Sequence, residues 1–128
     1  MGISANQARL MMLTARQHDL ELRAQQISAH KMMLINESQI WATKYNDALK
    51  AYSESVADDP DNIATYKAVL DLAKEAYDSS TTNITNEEKI LDMQLTNINT
   101  EHEAVKTEYD SIKSLVKDNT EKSFNVFG

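Results

Sequence analysis

Between Gly2 and Gly128 only one residue, Pro60, obliges the backbone to leave a helix. Strands joined by tight turns draw on Gly, Pro and Asn-Gly-type pairs. A chain of 128 residues with two Gly and one Pro has little material for a β-sandwich or barrel. Long helices remain, and the apolar periodicity supports them.

The clearest pattern lies near the end. Ile84, Leu91, Leu95, Ile98, His102, Val105, Tyr109, Ile112 and Val116 follow the alternating three- and four-residue spacing of a heptad seam. Glu88 fills the one gap and His102 is the one polar member of the set. Thr85 and Glu88 have the spacing of a capping box. The spacing predicts a helix over 85–120. Leu10 to Tyr52 alternates threes and fours without a break. Its cleaner line is Leu13, Leu20, Ile27, Leu34, Trp41 and Ala48, and its second line is interrupted by Gln17, Lys31 and Ser38. Polar residues on such a line weaken a helix pair and fix its register. This predicts one helix over 4–57.

Asp58-Asp59-Pro60-Asp61 ends that helix, and Pro fits only the first turn of the next, with Asp59 as N-cap. Ile63, Tyr66, Leu70, Ala73 and Tyr77 predict a helix over 60–78, and Ser79 to Asn83 reads as a polar break. At 1.5 Å per residue the three helices span ~80, ~25 and ~52 Å, so the two shorter ones together match the first. The expected fold is all-α: one domain over 1–128, a long antiparallel helical hairpin (coiled coil) with a broken return arm and a fraying tail at 121–128. In that register Trp41 and Tyr45 meet Tyr77, and His102 falls near Leu20 and Ala24. A compact three-helix bundle would leave half of the first helix unpaired.

The hairpin leaves apolar residues over. Met12, Leu22, Met33 and Ile40 form a second line on the first helix, with Ala15 and Ala29 between them, and Phe124 and Phe127 sit in the tail. Burial of one such side chain is worth ~1.5–3 kcal/mol, so this set reads as a partner-binding surface. The expected partner is a second copy of the chain or another helical protein.

The charge narrows the partners further. Twenty acids against thirteen bases give a net −7, which disfavours nucleic acid. Residues 1–56 carry six basic and five acidic side chains; residues 57–128 carry seven Lys and fifteen acids. No apolar run exceeds four residues, against the ~20 of a membrane span, so none is expected. The opening lacks a basic-then-apolar leader. The default compartment is therefore the cytoplasm, with export by a route other than Sec left open.

Catalytic chemistry finds few candidates. There is no Cys and no Gly-rich phosphate loop. None of His18, His30 and His102 has a second His, or an upstream Glu, at helical metal-ligand spacing. Paired carboxylates such as Glu87-Glu88 read as solvated faces. No cofactor, metal, catalytic residue or small-molecule substrate is expected, and the chain reads as a non-enzyme. His102, inside the seam, is the most interesting titratable group, as a pH-sensitive contact.

The stretch Leu13 to Ser28, with Ala24-Gln25-Gln26-Ile27 as its motif, resembles the N-terminal helix of axial proteins exported by flagellar and type III secretion machines. Ser4 to Leu10 and Phe124 to Phe127 also resemble the opening and ending of small bacterial coiled-coil proteins. The first resemblance implies an exported, polymerising subunit with paired terminal helices. The expected function is thus a structural, self-associating helical protein, an exported or surface-assembly subunit. The alternative is an adaptor or secretion chaperone holding a client along the Met-bearing face.

Overall fold

The computed structural model describes residues 2–127, and the side chains of all of these except Ile3 and residues 122–127. The chain is all-α, a helical hairpin of two helices: α1 over Ile3–Asp58 and α2 over Ile63–Phe127. A 3-10 turn, Pro60–Asn62, connects them. Proline's fixed φ and missing N–H suit the first position of that turn. Asp59 precedes it with φ −143° and ψ 66°, but its carboxylate caps no backbone N–H. It accepts instead from the Asn62 side-chain amide at 2.9 Å, while the Asn62 backbone N–H donates to the Asp59 carbonyl at 3.2 Å.

The return arm differs from the sequence expectation. The polar segment 79–83 is helical, and α2 runs through it to Phe127 rather than stopping near 78, restarting at 85 and ending near 120. The physical reason is local. The segment holds no Gly or Pro, and the Thr82 hydroxyl donates to the Asp78 carbonyl at 3.0 Å, one turn back, so it need not compete for a turn. The expected break marks a change of phase. Ser80 and Glu88 are half-buried and Ile84 is buried, so two four-residue steps follow one another there. A coiled coil absorbs such a stutter by local unwinding, with the helix intact. Thr85 is consequently mid-helix and caps nothing.

The chain packs as two compact units, Met1–Ser28 with Met93–Gly128, and Ala29–Asp92. In the first, Leu13, Leu20, Val105 and Ile112 form a buried cluster, with Leu10, Ile98, Tyr109 and Val116 packed against it. Leu20 is the most enclosed of the four, with 2% of its surface exposed. In the second unit Leu34, Ile84 and Leu91 are buried. The rings of Tyr45 and Tyr77 stack with centroids 5.4 Å apart, as the expected register requires. Two of the polar interruptions foreseen in the seam are accommodated at its edge. Gln17 stays half-buried. Lys31 lays its stem along the seam and carries its ammonium to Asp92.

Candidate partner-binding surface

A seam of this kind uses one stripe of each helix. On α1 the described side chains away from it are unusually apolar. Met12, Leu22, Met33 and Ile40 are all exposed, Met12 at 73% and Met33 at 68%. Their neighbours Met11 and Met32, which the spacing argument passed over, are equally exposed. Adjacent methionines occupy adjacent outward positions, a signal readable from the two Met-Met pairs at 11–12 and 32–33. Phe124 and Phe127 have side chains outside the described residues.

Each unit shows how these side chains are framed. In the first, Met12 lies in a shallow groove with Ala5, Ala8, Arg9, Arg16 and Glu108. On the other side of α1, Met11 borders a groove with Leu10, Ala15, His18 and Tyr109. Leu22 lines neither. In the second unit Met33 and Ile40 share one groove, with His30 and Glu37 on α1 and Glu87 from α2. All three grooves are open to solvent. They offer apolar contact area bordered by charge.

The bordering charges are mostly engaged within the unit that carries them. Arg9 pairs with Glu108 and Arg16 with Glu101, across α1 and α2 of the first unit. Arg23 pairs with Asp19 one turn back at 3.2 Å. Such exposed pairs are worth only ~0–1 kcal/mol each, so their effect is on register and specificity more than on stability.

His102 stands in the seam as the spacing indicates, and its ring is half-buried. The carboxylate that meets it is Glu21 on α1, Nε2 to Oε1 at 3.2 Å. The adjacent Glu101 is taken by Arg16. Glu21 also has His18 at 3.6 Å. The i, i+3 spacing of His18 and Glu21 is legible in the sequence; the approach of His102 is a consequence of register. Among the described residues, no group of three or more His, Asp or Glu is arranged to hold a metal ion, and no helix is long and apolar enough to cross a membrane.

No family model, no curated protein and no solved structure matches this chain.

Proposed function

We propose that this chain is a structural, non-enzymatic helical protein that associates with copies of itself through the outward apolar side of α1. The observation that carries the reading is the exposure of Met12, Leu22, Met33 and Ile40 together with Met11 and Met32. Exposed apolar residues scattered singly are ordinary on a protein surface. Here six of them recur at outward positions of α1, a helix whose other side already fills the seam, although Val69, Leu72, Ile90, Met93 and Leu115 on α2 are exposed as well. Exposed apolar side chains at repeated outward positions of a packed helix support an interaction surface. The resemblance of Leu13 to Ser28 to the N-terminal helix of exported axial proteins supports an exported or surface-assembly subunit.

The test is a charge placed in the surface. Met33→Glu should return the assembly to a monomer in light scattering while leaving the helical circular dichroism unchanged. Unchanged mass in that variant overturns the assignment of this surface. A second reading, an adaptor or secretion chaperone, is favoured by the four exposed methionines at 11, 12, 32 and 33, since flexible thioethers repack against varied partners. Purification from the native host separates the two. A stoichiometric foreign protein indicates the adaptor, and multiples of the chain's own mass indicate the subunit.

A further inference from the structure

The outward side of α1 reads almost the same in both directions about Leu22. Ala15 and Ala29 lie seven residues to either side, and the pairs Met11-Met12 and Met32-Met33 lie ten and eleven residues to either side. All seven of these side chains are exposed. In the heptad frame set by the buried seam, Ala15, Leu22 and Ala29 repeat at the position opposite the seam, and the methionines flank them. At 1.5 Å per residue each methionine pair stands ~16 Å from Leu22 along the helix.

An antiparallel two-fold pairing sets residues equally far from its dyad against one another, i against j and j against i, and this spacing fits it. We infer that α1 pairs antiparallel with α1 of a second copy across a dyad at Leu22. Leu22 meets its own counterpart. Met11 and Met12 meet the second copy's Met32 and Met33, and Ala15 meets Ala29, where small side chains let the helices approach. The inference rests on the self-association proposed above and specifies its geometry.

The charges agree with that geometry. Between the two methionine pairs the facing positions hold His18, Asp19, Gln25 and Gln26 beside the small and apolar residues, and with His counted as neutral Asp19 is the one formal charge among them. Asp19 already touches Arg23 on its own helix at 3.2 Å. In the antiparallel pair Arg23 of one copy comes within ~3 Å, measured along the axis, of the level of Asp19 in the other. Each arginine then stands between two carboxylates, and no like charges are left facing without a counter-charge. A parallel pairing would set each Met pair against its own counterpart and match the apolar side chains as well, but it would bring Asp19 level with Asp19, so the charges are what favour the antiparallel arrangement. The contact uses about a dozen positions per copy, fewer than the roughly 20–30 of a standard interface, so the dimer should be concentration-dependent.

The chain has no Cys, so single cysteines report the geometry cleanly. Disulfides need Cα atoms within about 7 Å. Under mild oxidation Leu22→Cys should give a covalent dimer. Met11→Cys alone and Met32→Cys alone should not, since each lies ~30 Å or more from its counterpart. An equimolar mixture of Met11→Cys and Met32→Cys, both retaining Leu22, should cross-link. Dimers from Met11→Cys alone, or no cross-link in the mixture while the unmodified chain is dimeric by mass, overturn the antiparallel dyad and leave self-association standing. An unmodified chain that stays monomeric at every concentration overturns both.

Discussion

The ring of Tyr77 on α2 lies against the ring of Tyr45 on α1, with centroids 5.4 Å apart and planes inclined by 18°. The two residues sit in the seam of the second unit and both are half-buried. An offset aromatic stack adds ~0.5–1.5 kcal/mol beyond the area it covers.

That relationship sets the first expectation. Tyr77→Ala should cost about 2 kcal/mol in urea unfolding, and Tyr77→Phe much less, because no hydrogen bond to the phenol is needed for stacking. A double-mutant cycle with Tyr45→Ala should return a coupling of ~0.5–1.5 kcal/mol. Strict additivity would show that the rings do not interact in solution.

The first unit depends on a small aliphatic cluster. Leu20 is its most enclosed member, so Leu20→Ala should destabilise by about 3 kcal/mol, through lost burial and the cavity left behind. Met12→Ala, on the exposed side of the same helix, should change unfolding of the dilute chain by under ~0.5 kcal/mol. Equal losses at the two sites would contradict the assignment of the seam.

The continuity of α2 through 79–83 is tested by Thr82→Pro. Within a helix, proline removes a backbone bond and clashes with the preceding turn, at about 3 kcal/mol. The variant should lose stability by that order in thermal unfolding followed by circular dichroism. A loop at 79–83 would tolerate it with little change.

His102 occupies a position where the heptad calls for an apolar side chain, and its contact is the carboxylate of Glu21. His102→Leu should raise stability by about 1 kcal/mol, since polar residues in such lines trade stability for register. A loss of the same size would show that the contact with Glu21 outweighs the gain in apolar packing.

Most of the hairpin was legible because a heptad seam is a one-dimensional signal. Leu13, Leu20, Leu34, Ile84, Leu91, Val105 and Ile112 are buried where their spacing puts them. The reversal at Pro60 was legible because proline leaves few alternatives. Two things were not. Ser79 to Asn83 has turn-like composition, yet helix is decided there by the seam on either side and by the Thr82 hydroxyl bonding one turn back, which composition does not record. The Glu21–His102 contact joins residues 81 apart and depends on register to within a residue. Of the surface residues expected from sequence, Met12, Leu22, Met33 and Ile40 are exposed as anticipated. Their role waits on a partner, because exposure is a property of one chain and binding is a property of two.

Self-association is most directly measured by sedimentation equilibrium of the unmodified chain across a wide concentration range. The account predicts a weight-average mass that climbs from 14.5 kDa toward a multiple of it as concentration rises. A mass that stays at 14.5 kDa throughout would contradict it.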